Sequence, residues 1–266
     1  MKLIVAGGSG FVGSEVITQA IAHKSISSVI ALSRRPLTDP PFDNPKVKVV
    51  VLEDFEKGYT SEVLEQLKGA EGCCWLVDLF LYSLYRPRLY FEQEQMRWSI
   101  IELKADLSIR ALGAKSTGGD KTRKVNLEYA LAAVNAFRTL PLSSSTSKFR
   151  LAYTSGIITE RDQDKSLWIM SDMRKVGGET EVKLIEFAKE HEKTFETIIM
   201  RPGGIRPKES KMLPDCIVGS FNVRVDEVAT TLIDSAVNGD GLGRNTLENA
   251  DIAKKGRELL AKAAEN

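Results

Sequence analysis

Histidine and cysteine are scarce in this 266-residue chain: two of the first, His23 and His191, and three of the second, Cys73, Cys74 and Cys216. No Cys-x-x-Cys occurs, and two imidazoles without a thiol pair do not make the ligand set of a zinc centre, so no metal is expected. An odd number of thiols, two of them adjacent in an apolar run, reads as reduced, buried cysteine and points to the cytoplasm. Charge of one sign is missing too. Lys+Arg 37 against Asp+Glu 36 leaves a formal net charge of +1, which offers nucleic acid no electrostatic footprint. Long hydrophobic runs are also absent. The apolar opening Met1–Ala6 stops at Gly7, too short for a secretory leader. The most apolar later stretch, Leu76–Phe91, is cut by Asp78, Arg86, Pro87 and Arg88, which excludes an integral membrane span there. What remains is an ordinary globular balance, 42% hydrophobic and 27% charged, in a chain long enough for one sizeable core.

Apolar periodicity then alternates between two and 3.6. Lys2–Ala6, Val29–Ser33, Val47–Leu52, Gly72–Trp75, Phe149–Thr154 and Thr197–Met200 read as buried strands. Between and after them, Ser14–His23, Ser61–Lys68, Thr122–Phe137, Met173–His191, Val225–Val237 and Ile252–Ala264 have helical spacing. Strand and helix in alternation predict an α/β fold, a doubly wound parallel sheet of Rossmann type closed by a small helical C-terminal portion, with residues 1–266 forming one domain.

The turn after the first strand carries the clearest chemistry. Gly7-Gly8-Ser9-Gly10-Phe11-Val12-Gly13 places glycine at every third position between a strand and a helix. The first glycine allows the tight turn, the second lets backbone approach a pyrophosphate, and the third lets helix and strand pack closely; the helix N-terminus then faces the phosphates. An acid about 20 residues further on would bind the ribose of NAD. This chain has Ser33-Arg34-Arg35 at the end of the second strand. Guanidinium groups there suit the 2′-phosphate of NADP, which a carboxylate would repel, so NADP is expected over NAD.

With these residues in place, and with Asp54-Phe55 after the third strand, the chain resembles the atypical short-chain dehydrogenase/reductase superfamily, most of all the Tat-interacting-protein-like group and its short fungal relatives. The resemblance implies that Asp54 reaches the adenine amino group and that Asn126, in Val125-Asn126-Leu127, supports the active site from the central helix. It puts Ser155 of Ala152-Tyr153-Thr154-Ser155-Gly156 at the catalytic serine position. Met200-Arg201-Pro202-Gly203 is similar to the turn that holds the nicotinamide end, with Pro202 in it. Gly113, in Ala111-Leu112-Gly113, falls where the fourth strand's loop passes the cofactor. Small-molecule or secondary metabolism is the setting that the fungal likeness suggests.

Two departures stand against that pattern. The family's Tyr-x-x-x-Lys, whose Tyr moves the proton and whose Lys lowers its pKa, aligns with Met173-Arg174-Lys175-Val176-Gly177. A thioether has no transferable proton and glycine has nothing. Lys175 sits about 200° around the helix from Met173, so it is no direct replacement. Tyr153 shares a strand face with Ser155, so it either packs in the core or reaches the site. The second departure is Leu76–Arg110, which matches nothing in the family and is dense in aromatics: Phe80, Tyr82, Tyr85, Tyr90, Phe91 and Trp98. It reads as an insertion or an intron translated in frame, the alternative being a lid or partner-binding helix pair with Tyr90–Ile109 as one helix.

Three functions stay open on these residues. One is an NADP-dependent oxidoreductase acting on a small carbonyl or alcohol, with Ser155 polarising the oxygen and water or Tyr153 supplying the proton. Another is an NADP(H)-binding regulatory protein without turnover. The third, an isomerase on the same fold, lacks a dedicated base. The partner is a small molecule in the first case; oligomeric state and substrate are not encoded in any motif of the chain.

Overall fold

β-Branched residues recur in the first three apolar runs, and each run becomes a strand. The computed structural model describes residues 1–76, 119–142, 148–209, 221–240 and 243–265. In chain order it contains β1 (Lys2–Ala6), α1 (Phe11–Ala22), β2 (Ser28–Ser33), β3 (Val47–Val51), α2 (Ser61–Leu67) and β4 (Ala70–Leu76). After the segment outside the described residues come α3 (Gly119–Arg123), a π-helical stretch Lys124–Glu128, α4 (Tyr129–Phe137), β5 (Phe149–Thr154), α5 (Ser171–Glu190) and β6 (Phe195–Arg201). β7 (Gly204–Arg206), β8 (Asn222–Arg224), α6 (Val225–Asn238), β9 (Thr246–Glu248) and α7 (Asn249–Ala264) complete it. As expected, the sheet is parallel and doubly wound, in the order β3-β2-β1-β4-β5-β6-β9, with β7 and β8 paired apart from it.

The order reverses between β1 and β4, and an open α/β sheet binds its ligands in the crevice at such a switch, beyond the carboxyl ends of the strands. Register brings those ends level: Ala6 pairs with Leu32 and Trp75, Leu76 with Thr154, and Thr154 with Met200. Gly7, Arg34, Ser155 and Pro202 therefore all leave the same edge of one rigid layer. Two apolar layers hold that sheet. Leu3, Val5, Cys74, Ala152 and Met200 face α1, α6 and α7, whereas Ile4, Ala6, Trp75, Leu151 and Tyr153 face α2, α4 and α5.

Local chemistry sets the helix ends. α1 begins at Phe11, three residues before the expected Ser14, because Gly10 N–H donates to the Gly7 carbonyl at 3.1 Å and closes the turn early. It stops at Ala22, where Lys46 Nζ donates to the carbonyls of Ala20, Ile21 and His23 at 3.1, 2.7 and 3.1 Å. A cation there meets both the orphan carbonyls and the negative end of the helix dipole. Lys46→Met keeps the aliphatic stem and is expected to cost about 1–2 kcal/mol in a urea titration.

Three further findings differ from the sequence reading. The expected Thr122–Phe137 helix is interrupted by the π-helical turn. The C-terminal portion is not helical throughout, because β9 joins β6 as the seventh strand. β7 and β8 were not expected at all. Among the described residues no helix is long and apolar enough to cross a membrane.

Candidate active site

The glycine turn has the geometry that its composition predicts. Gly7 sits at φ +84°, a left-handed backbone that L side chains rarely adopt, and a Cβ on it would lie 2.4 Å from the Leu76 carbonyl oxygen of β4. On Gly13 a Cβ would fall 2.2 Å from the Gly7 carbonyl oxygen and 2.7 Å from Gly8 Cα. Gly10 is different: the nearest atom to its Cβ position is 3.4 Å away, so the loop's outer face is open. Ser9 and Gly10 are exposed, and Gly10 caps α1 without a side-chain hydrogen bond. The first-turn N–H groups of a helix have no partner within it, which makes this end an anion site. Gly8 and Val12 bury their side positions and offer a ligand backbone only; Phe11 is half-buried. These residues fit a dinucleotide pyrophosphate.

Beside that turn, Ser33 ends β2 buried, and its Oγ accepts from Arg35 N–H at 3.4 Å. Arg34 and Arg35 are exposed and pair with no carboxylate among the described residues. Asp54 is half-buried and shapes its own loop, its Oδ1 accepting from Glu56 N–H at 2.8 Å. The Phe55 ring turns inward instead, 5.8 Å from both Trp75 and Tyr129 between ring centres. Only its backbone can line the crevice. Gly113 lies outside the described residues, as do 77–110 of the expected insertion, which leaves β4 at the switch point.

Asn126 lies in the π-helical turn, donating through Nδ2 to the Thr122 carbonyl at 2.9 Å. Such widened turns recur at functional sites because they re-aim one side chain. This one is braced from both sides. Lys124 pairs with Glu56 at 3.0 Å, and Arg123 clasps Glu179 of α5 with two hydrogen bonds of 2.6 and 2.7 Å. The guanidinium holds the Glu179 carboxyl below its ordinary pKa.

Ser155 follows β5, buried, its N–H donating to the Met200 carbonyl at 2.7 Å. Its Oγ lies 3.0 Å from Thr159 Oγ1. Ile157 N–H donates to the Pro202 carbonyl at 3.0 Å, so the buried Pro202 turn is stitched to the segment that carries the serine. Asn249 fixes the same turn from α7, its Oδ1 accepting from Gly203 N–H at 2.7 Å. Lys175 is committed elsewhere, donating to the Gln163 carbonyl at 2.7 Å.

Tyr153 settles on the core side of its two readings. It is fully packed between the sheet and α4 and α5, so it cannot supply a proton to a ligand at Ser155. Burial, with the Glu181 carboxylate nearby, pushes its hydroxyl well above the ordinary 10, and burial does the same to Tyr59. Both stay protonated in the folded chain while unfolded tyrosines ionise near pH 10. The folded state then binds more protons than the unfolded one, so stability falls as pH rises above 10. Urea midpoints on either side of that pH are expected to show the fall, and Tyr153→Phe to make it shallower.

What the motifs did not reveal is a buried ion cluster behind the site. Glu181 is fully buried in α5 and receives Arg161 Nε at 2.6 Å and Arg201 at 2.5–3.2 Å. Arg161 also reaches Thr246 Oγ1 at 2.9 Å, and Arg201 reaches Glu248 at 3.5 Å. One carboxylate thus ties α5, the loop after β5, β6 and β9 together. The only sequence signal for it was an arginine directly before Pro202-Gly203.

No family model matches the chain. A segment of 83 residues, 31% of this chain and 30% of the other, is 35% identical to leucinostatins biosynthesis cluster protein T of Purpureocillium lilacinum. Among solved structures, Gre2 of Candida albicans in complex with NADPH superposes with a TM-score of 0.60 at 17% identity, over 93% of this chain and 77% of that one. A short chain dehydrogenase family protein from Francisella tularensis gives 0.59 at 10% identity, over 95% and 98%. At these identities the likeness is one of fold: the chain has a doubly wound Rossmann-type α/β fold, similar to those of these two proteins.

Proposed function

We propose that the chain binds NADP(H) and acts as an oxidoreductase on a small organic carbonyl or alcohol. The observation that carries this reading is the open, glycine-rich turn at the switch point, on the same sheet edge as Ser155. The pyrophosphate would rest on the backbone of 8–13, the 2′-phosphate on Arg34 and Arg35, the adenine beside Asp54, and the nicotinamide end beside Pro202. When bound, the cofactor supplies or takes up the two electrons of the reaction. The chain's own part is to hold the substrate oxygen on the Ser155 hydroxyl, with Asn126 supporting that region from the braced π-helical turn. The bound NADPH of the Gre2 structure supports NADP in this role.

Titration with NADPH and NADH, followed by nicotinamide fluorescence, tests the cofactor. NADPH is expected to bind more tightly. Each charge-assisted hydrogen bond to the 2′-phosphate contributes about 1.5–3 kcal/mol, so Arg34→Ala with Arg35→Ala, which removes two, should weaken NADPH binding by roughly a hundredfold or more and leave NADH unchanged. Equal affinities in the wild type would remove NADP preference from the proposal.

A regulatory protein that binds the cofactor without turnover is the second reading, favoured by Met173, Gly177 and the inaccessible Tyr153. Met173→Tyr with Gly177→Lys separates the two: turnover that begins only in that variant supports the regulator. The lysine needs room, because a Cβ at 177 meets Thr159 Cγ2 at 3.2 Å. The narrower kinship with the Tat-interacting-protein-like group and a role in secondary metabolism rest on sequence, the latter also on the Purpureocillium likeness. Buried thiols at Cys73 and Cys74, whose pKa values burial raises, fit a reducing cytoplasm. The single-domain reading, with 76–110 as an insertion or translated intron, is likewise a proposal; transcripts that join codons 75 and 111 would establish the intron.

A further inference from the structure

Ser155 does not stand alone. Thr159 N–H donates to the Gly156 carbonyl at 3.0 Å, and the tight turn this closes brings the threonine hydroxyl back to 3.0 Å from Ser155 Oγ. The far side of Thr159 rests on α5, where its Cγ2 and Oγ1 would lie 3.2 and 3.4 Å from a Cβ at Gly177. One residue further, a Cβ on Gly178 would fall 1.7 Å from the Glu160 carbonyl oxygen. The two glycines flatten one face of α5 so that the 158–161 backbone can lie directly on it. Glu160 N–H donates to the Arg174 carbonyl at 3.0 Å and Arg174 Nε to the Ile158 carbonyl at 2.7 Å, which fastens the loop there. The missing side chain at 177 and the second hydroxyl are thus one arrangement: Thr159 takes the room that a longer residue at 177 would claim.

Two hydroxyls at hydrogen-bond distance share one proton and keep another to donate outward, and each polarises the other. Ser155 is buried while Thr159 is partly exposed, so the pair runs from the sheet edge towards water. Among the described residues no cation joins it, since Lys175 and Arg174 are both held by backbone carbonyls. A neutral donor pair suits a neutral acceptor; carboxylates and phosphates are matched by charged donors.

The geometry points to Thr159 as the positioning residue of Ser155: its hydroxyl aims Ser155 Oγ–H at the carbonyl oxygen of a small aldehyde or ketone. This inference rests on the oxidoreductase reading above and names the group that its site recognises. The experiment is ligand binding without turnover, using NADP⁺-saturated protein with butanal and cyclohexanone as probes and saturation-transfer NMR as the readout. Aldehydes and NADP⁺ form a pair that transfers no electrons from cofactor to carbonyl.

Thr159→Val, isosteric but without the hydroxyl, should weaken probe binding about tenfold, and so should Ser155→Ala. Thr159→Ser should restore it to within about twofold, which a merely structural methyl contact would not do. Because the hydroxyls act as a unit, the double variant should bind no worse than Ser155→Ala alone. Gly177→Ala is a second, independent probe. It favours the helix yet pushes Thr159 aside, so probe binding should weaken without any loss of thermal stability. Wild-type affinity in Thr159→Val, or additive losses in the double variant, overturns the proposal. Absence of probe binding in wild type that still binds NADP(H) also overturns it and leaves the cofactor reading standing. Failure of wild type to bind NADP(H) at all removes both.

Discussion

Glu181→Ala is expected to lower the thermal midpoint by roughly 10 °C, the largest stability loss of any single change proposed for this chain. The carboxylate is fully buried and satisfies two guanidiniums at once. Removing it leaves the largely buried Arg201 guanidinium without its partner carboxylate and beside a second cation, a loss of a buried ion-pair partner that typically costs about 3–5 kcal/mol. The partners are not equivalent. Arg161 keeps 34% of its side chain exposed and Arg201 only 15%. Water can take over from Arg161, so Arg161→Ala should cost about 1 kcal/mol. Arg201→Ala should cost more than Arg161→Ala, since it leaves the buried carboxylate only its bond from the half-exposed Arg161. Urea titrations of the three variants decide the order. A loss at Glu181 no larger than at Arg161 would mean that the cluster is hydrated and contributes little.

Binding has its own decisive position. Gly13→Ala is expected to weaken NADPH binding by about a hundredfold, because displacements of even 1 Å in a positioned site have effects of that size. The methyl would meet the Gly7 carbonyl oxygen at 2.2 Å and Gly8 Cα at 2.7 Å, both backbone, and neither can turn aside. α1 must therefore withdraw from the turn whose N–H groups it aims. Gly10→Ala separates binding from folding. Its methyl has space and a φ of −83° that any residue adopts, so the fold should keep its midpoint. The same methyl stands on the open face of the loop, where it would keep the pyrophosphate from the backbone. Fluorescence titration beside a thermal melt is expected to show Gly10→Ala stable but weak in binding, and Gly13→Ala impaired in both. Full NADPH affinity in Gly10→Ala would place the cofactor somewhere other than this turn.

The sequence by itself determined the parts whose physics is local. A five-residue apolar strand, a glycine at every third position and a following helix are consecutive, so the tight turn Gly7–Gly13 between β1 and α1 was legible. The same holds for the exposed position of Arg34 and Arg35, which follow directly on β2, and for the parallel sheet, which follows from alternating periodicities. Other features were decided only in three dimensions. β7, β8 and β9 have three residues each, too few for any period, and exist because a neighbouring strand supplies their hydrogen bonds. The π-helical turn at Asn126 has no composition of its own; Glu56 and Glu179, from two other elements, brace it.

Burial decided the rest. Tyr153 and Ser155 are two residues apart at the end of β5, and only the packing of α4 and α5 over the tyrosine made it core rather than a second site residue beside the serine. Arg161, Glu181 and Arg201 are 20 residues apart in steps along the chain, and a carboxylate among many exposed ones shows no mark of its partners until helix and sheet enclose it. Gly177 reads in sequence as a lost lysine. In the folded chain it is the floor on which Thr159 meets Ser155, because a contact between residues 18 apart depends on how closely α5 lies against the loop, and Gly178 sets that distance.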